Sequence, residues 1–159
     1  MPHIHELYDY TVSFFILHPI ESKVCLHYHR KLKSWTQLGG HVELDEDPMQ
    51  ALERELLEEA GLKKDDFTIV ETQARPHPRG IESLPIPFSL LIYKYGKTKH
   101  KHIDLPYVIK SKKTSLNPME GESTQIDWFD QGQLEKLHKN QDIEDCTYDI
   151  CSWVLQTFV

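Results

Sequence analysis

Apolar and polar positions change period several times along this 159-residue chain, and the first changes mark strands. Residues 8–18 are dense in Tyr, Val, Phe and Ile and predict a strand. Val24, Leu26 and Tyr28 alternate with Cys25, His27 and His29, which predicts a second strand over 23–29. Residues 19–22, which begin with Pro19, read as the turn between them, so the chain opens with a β-hairpin.

A short strand over Trp35–Leu38 then feeds Gly39-Gly40, and beyond it the period becomes helical. At about 100° per residue, with Glu55 at zero, Met49, Leu52, Leu56 and Ala60 fall roughly between +60° and +140°, an apolar stripe suited to packing on a sheet. Glu58 falls near −60° and Glu59 near +40°, so three carboxylates share an arc of about 100° on what reads as the solvent side. Asp47 can cap the helix, Pro48 suits its first position, Gln50 suits a capping box and Gly61 suits a left-handed stop, which predicts a helix over 48–60.

Further on, residues 66–73 predict a strand, and Arg75-Pro-His-Pro-Arg-Gly80 is a proline-marked loop. Phe88–Tyr95 and His102–Ile109 predict two more strands joined through Gly96 and a Lys/His turn. A polar loop over 117–123 precedes a strand over Gln125–Phe129 and a short helix over Gly132–Leu137. Ile143, Cys146, Ile150, Val154 and Phe158 recur at helical spacing and predict a final helix over 143–158. These elements make a mixed sheet of at least five strands with helices, and one domain is expected to use residues 1–159.

Like charges at i, i+3 and i, i+4 repel on a bare helix, whereas a hard divalent cation turns that repulsion into attraction. An acidic helix face alone is more often simply solvated. Here Gly40, Glu46, Arg54, Glu55, Leu56, Glu58, Glu59, Gly61 and Leu62 fill all nine specified positions of a pattern spanning 23 residues, G-x5-E-x7-R-E-U-x-E-E-x-G-U with U aliphatic. That segment resembles the Nudix box of the Nudix hydrolase superfamily (MutT-like).

The resemblance implies an α/β fold, a Nudix α/β/α sandwich in which a loop–helix–loop element holds one to three Mg²⁺ or Mn²⁺ ions over a diphosphate. It implies that Glu55, Glu58 and Glu59 supply metal ligands or the water-activating base, that Gly40 belongs to the metal-binding element, and that Arg54 orients a glutamate by ion pairing. The glutamate matching Glu46 is more often structural. The implied reaction is hydrolysis of a diphosphate linkage in a nucleoside diphosphate joined to another moiety, with water attacking phosphorus.

Some Nudix proteins also carry a His-x-His-x-Asp strand ahead of a Glu-Ser-x4-Trp-Phe segment. This chain has His100-Lys-His102-Ile-Asp104 and then Glu122-Ser-Thr-Gln-Ile-Asp-Trp128-Phe129. The match nominates Glu122 as a loop glutamate serving as ligand or general base, with Glu120 as its competitor. His100, His102 and Asp104 share one strand face, which fits either a transition metal such as zinc or ordinary hydrogen-bonded polar groups. Trp35, Tyr107, Trp128 and Phe129 can stack a nucleobase or pack in the core.

Charge sharpens the choice of partner. A formal net charge of −7 disfavours general nucleic-acid binding. Local basic groups remain: Arg30, Lys31 and Lys33; Arg75 and Arg79; Lys97, Lys99 and Lys101; Lys110, Lys112 and Lys113. Arg75 and Arg79, with Trp35, are the candidates for binding substrate, a nucleotide diphosphate. A homodimer is compatible with the pattern.

Cys25, Cys146 and Cys151 form no C-x-x-C pair and read as small core residues in a reducing compartment. The N-terminus has no secretory pattern and the longest apolar run, near Val12–Leu17, is too short to cross a bilayer, so no membrane partner and a cytoplasmic location are expected. Two other functions share the fold: a non-catalytic Nudix-like sensor and an isopentenyl-diphosphate isomerase-like protein. A sensor would usually carry an effector domain, for which no residues remain, and the isomerase needs a Cys/Glu acid–base pair that nothing here places near the metal.

Overall fold

In the computed structural model, which describes residues 7–94 and 99–159, the first aromatic run forms β1 (Tyr8–Leu17). The His18 N–H donates to the Lys23 carbonyl at 3.0 Å, closing the predicted hairpin into β2 (Val24–His29). The strand predicted over Trp35–Leu38 is two strands: β3 (Ser34–Thr36) pairs with β2, and β4 (Leu38–His41) pairs with β1. The change of partner between them carries Gly39 and Gly40 into the sheet rather than into a loop beyond it.

Helix α1 (Pro48–Ala60) has the predicted limits. The Asp47 carboxylate accepts from the Met49 and Gln50 N–H groups at 2.7 and 3.0 Å, and Gln50 Oε1 accepts the Asp47 N–H at 2.8 Å. Such a cap contributes about 1 kcal/mol. Gly61 takes the left-handed conformation, φ 68°, and its N–H donates to the Leu57 carbonyl at 3.0 Å. A side chain at Gly61 would also run into the Asn117 carbonyl, so the residue serves both the helix stop and the approach of another loop.

Beyond α1, a 3₁₀ turn (Lys64–Asp66) leads into β5 (Phe67–Ile69), and later come β6 (Leu91–Lys94) and β7 (Lys101–Ser111). Strand β7 runs parallel to β1 from Tyr8↔Lys101 to Leu17↔Lys110, and β5 and β6 pair antiparallel along its other edge. Both edge strands are shorter than predicted, and Pro106 supplies the reason. Its carbonyl accepts from the Phe88 N–H at 3.0 Å on that edge, where the residue's own N–H would also point if it had one, so the ladder breaks between β5 and β6. Tyr95 and Gly96 of the predicted strand and turn, and Lys97 of the basic cluster, lie outside the described residues.

Strand β8 (Ile126–Phe129) pairs with β2, and α2 (Gln131–Lys139) and α3 (Asp145–Phe158) follow. The sheet path is β3-β2-β1-β7-β5, mixed because β1 and β7 pair parallel while the other pairs of described strands are antiparallel. Val12, Phe14 and Ile16 of β1 pack with Leu52 and Leu56 of α1, whereas Phe15 and Leu17 pack on Leu134 of α2 and Val154 of α3. Alternation along β1 therefore sorts side chains between two helical layers, giving the α/β/α sandwich. No helix among the described residues is long and apolar enough to cross a membrane.

The face of α3 differs from the predicted stripe. Cys146 is exposed rather than buried, and the buried residues are Thr147, Cys151, Val154 and Leu155. Thr147 counts as polar in a sequence pattern, yet its hydroxyl donates to Gln37 Oε1 at 3.0 Å and the residue is enclosed. That single threonine rotates the apparent stripe by one position.

Candidate active site

Strand β4 lies against α1, and this contact builds the site. Glu55 and Glu59 are each only 8% exposed, so the acidic arc is not a solvent face but a buried seam between helix and sheet; Glu58 is half-buried beside it. Gly40 makes the seam possible, because a Cβ there would overlap the Glu55 carboxylate. The Gly39 N–H donates to Glu59 Oε2 at 2.7 Å.

Arg54 ties the seam to the loop before the helix. Its Nε donates to Glu46 at 2.9 Å, Nη1 to Glu55 at 2.7 Å and to Glu58 at 3.3 Å, and Nη2 to the His41 carbonyl at 3.0 Å. Burial opposes its charge, but Glu46 and Glu55 outweigh that and hold the guanidinium protonated.

The loop over 117–123 closes the other side. Its Asn117 and Met119 N–H groups donate to the Ala60 and Glu58 carbonyls at 3.0 and 2.8 Å, pinning it to the end of α1. Glu122, half-buried in this loop, raises the pKa of both Glu55 and Glu59 by its charge, whereas Glu120 is exposed. Arg54 thus holds three carboxylates, Glu46, Glu55 and Glu58, while Glu59 and Glu122 add their charges to the same seam.

Burial pushes the Glu59 carboxyl up to about 8; the Gly39 N–H opposes this, and the charges on Glu55, Glu122 and Glu58 add to it. Glu55 is raised too, chiefly by burial and against Arg54. His27 Nδ1 lies 3.7 Å from Glu59, but burial, with His29 nearby, lowers its pKa to about 4, so it is a neutral polar neighbour rather than a counter-charge. The sequence pattern did not single out His27; its alternation with Leu26 onto the α1 face was the available signal.

A pH effect on stability follows with a definite sign. Between about 4.5 and about 8 the folded protein keeps a Glu59 proton that the unfolded chain has released, so this contribution is full below that window and fades as pH rises through it. Metal-free protein should lose melting temperature from about pH 5 to about pH 8, and Glu59→Gln should lose less. Identical slopes for the two proteins would contradict the assignment.

Other candidates lie elsewhere. Trp35 in β3 packs edge-on to Phe129 at 4.8 Å and Tyr28 at 5.8 Å, in the layer on the opposite side of the sheet from α1. Arg75 is held by Glu71 at 3.1 Å and by the Ser83 carbonyl, and Arg79 is exposed in the same loop; no described contact joins either to the seam. Tyr107 and Phe129 are core residues, and the Trp128 indole donates to the Thr114 carbonyl at 2.8 Å. Asp104 is not aligned with His100 and His102 as a ligand, because the Thr11 and Ser13 hydroxyls donate to its two oxygens at 2.7 and 2.6 Å.

Comparison with known proteins places this arrangement. The NUDIX domain family model matches residues 9–149. The chain belongs to the NUDIX family. A solved NUDIX-family hydrolase from Clostridium perfringens is 28% identical, with a TM-score of 0.75 over 96% of this chain and 99% of that one. The E. coli dihydroneopterin triphosphate pyrophosphohydrolase shares the fold at 13% identity, with a TM-score of 0.65 over 97% of this chain and 98% of that one. A C. elegans Ap4A hydrolase shares it at 20% identity and a TM-score of 0.64, over 94% of this chain and 99% of that one. Among curated protein sequences, none matches.

Proposed function

We propose that the chain hydrolyses a diphosphate linkage in a nucleoside diphosphate joined to another moiety, and that it does so with Mg²⁺ or Mn²⁺. The observation that carries this reading is the excess of carboxylates at the seam: Glu58 and Glu122 lie near enough to Glu55 and Glu59 to raise the pKa of both, and among the described residues Arg54, bonded to Glu55 and Glu58, is the cation there. Oxygen donors of this kind suit hard divalent ions, and the backbone at Gly40 leaves room for the carboxylates to crowd together. Glu55, Glu58 and Glu59 would hold the metal, with Glu122 as a further ligand or the base.

When bound, the metal supplies an acidified water and relief of charge on the phosphoryl oxygens. The residues do the positioning. Arg54 fixes Glu55 and Glu58 through paired N–H groups, and Glu46 and the His41 carbonyl fix Arg54 in turn. Glu122, half-buried in the 117–123 loop and near enough for its charge to raise the Glu55 and Glu59 pKa, would be the group that takes up the proton of the water, in preference to exposed Glu120.

The solved relatives named for dihydroneopterin triphosphate and Ap4A differ in substrate, which supports the shared reaction class and leaves this chain's nucleotide to be measured. The isomerase reading is weakened by Cys25, which is fully buried and whose thiol burial pushes well up. A panel of nucleotide diphosphate derivatives, assayed for phosphate or nucleoside monophosphate with and without Mg²⁺, tests the proposal. Metal-dependent release from at least one of them is expected; no release from any would favour a binding module without turnover.

A further inference from the structure

A second cluster of metal-type donors lies on the sheet face turned away from α1. Along β1, Val12, Phe14 and Ile16 face α1, so Asp9, Thr11 and Ser13 face the other way. The parallel register sets Asp9 beside His102 of β7, and His100 is two residues earlier on the same face. One donor atom from each of Asp9, His100 and His102 lies within 4.8 Å of the other two, and the residues are 1%, 7% and 3% exposed. His41 of β4, which is in register with Thr11, brings a third imidazole, with Nε2 3.8 Å from Asp9 Oδ2.

The spacing suits a particular ion. With Zn–N and Zn–O bonds of about 2.0–2.1 Å, the ligand atoms of a tetrahedral site stand about 3.3 Å apart. His100 Nε2 is 3.2 Å from Asp9 Oδ2, and the His41 contact is 3.8 Å. Imidazole nitrogens with one carboxylate favour zinc and its transition-metal neighbours over Mg²⁺, which takes oxygen.

We propose that Asp9, His100 and His102, with His41 as the fourth ligand, form a structural site for zinc or a similar divalent transition metal, distinct from the carboxylate seam. Such an ion joins β1, β7 and β4 at one end of the sheet. It also steadies the segment that bears Gly40, because the His41 carbonyl is the acceptor for Arg54 Nη2 at 3.0 Å. The site does not depend on the hydrolase reading, since its ligands come from the opposite face.

Chelator-stripped protein titrated with Co²⁺ in excess Mg²⁺ reads this directly. One equivalent should bind with the intense visible bands of four-coordinate Co²⁺, and Zn²⁺ should displace it. His100→Gln and His102→Gln should each lose the bands, whereas Glu58→Gln should keep them. X-ray absorption on the wild-type Co²⁺ protein settles the ligands even if the histidine variants fail to fold: a first shell containing at least two imidazole nitrogens supports the site. An all-oxygen shell, loss of the bands in Glu58→Gln, or no binding in the presence of Mg²⁺ overturns it.

Discussion

Glu58→Gln or Glu59→Gln should reduce metal-dependent diphosphate hydrolysis by several orders of magnitude, as expected when metal-assisted water activation is removed. Each change is isosteric and deletes one negative charge from a seam already crowded with them, so the fold should survive. For Glu59 the sign can be stated further. The wild-type side chain is buried with its pKa pushed up to about 8, so the neutral amide relieves a cost that metal-free protein bears at alkaline pH. An inactive Glu59→Gln protein that melts no lower than metal-free wild type at about pH 8.5 would therefore separate lost chemistry from lost structure. Turnover equal to wild type in both variants would refute the site.

Gly40→Ala should be nearly as damaging, by another route. Its Cβ would occupy the space of the Glu55 carboxylate, which Arg54 holds from the other side at 2.7 Å. Either the carboxylate leaves Arg54 or β4 lifts from the helix. Displacement of a catalytic group by about 1 Å costs roughly a hundredfold in rate, and the overpacking costs roughly 1–3 kcal/mol. Activity and melting temperature should fall together, in contrast with the glutamine variants. A Gly40→Ala protein with wild-type rate and stability would show that the close approach does not matter.

What could be read from the sequence was what is local. The α1 limits, its capping box and its left-handed stop depend on residues within a few positions, and they came out as expected. The wheel also grouped Glu55, Glu58 and Glu59 correctly. It could not say what covers them, so the arc read as solvent-facing when β4 lies across it. The Gly39-Gly40 pair was the only local sign of that close approach.

Long-range pairing was the harder part. Asp9 gave no signal by itself, because its neighbours His100 and His102 arrive through the parallel β1–β7 register. The same histidines looked like partners of Asp104, whose spacing on the strand was right but whose oxygens are taken by Thr11 and Ser13. Glu122 reached the candidate list through family resemblance alone, and the Asn117 and Met119 hydrogen bonds to α1 supply its physical reason.

The parallel β1–β7 pair also governs when the molecule can assemble. Thr11 meets Asp104 across 93 positions of chain, so the central strand lacks its longest neighbour until β7 has left the ribosome. Contacts of such separation slow folding, because loop closure comes before any reward from pairing. Helix α1 can coil early from its own caps, but the sheet it rests on is finished late. The carboxylate seam, built on α1 early in the chain, therefore waits for β7 and the 117–123 loop before it takes its working shape.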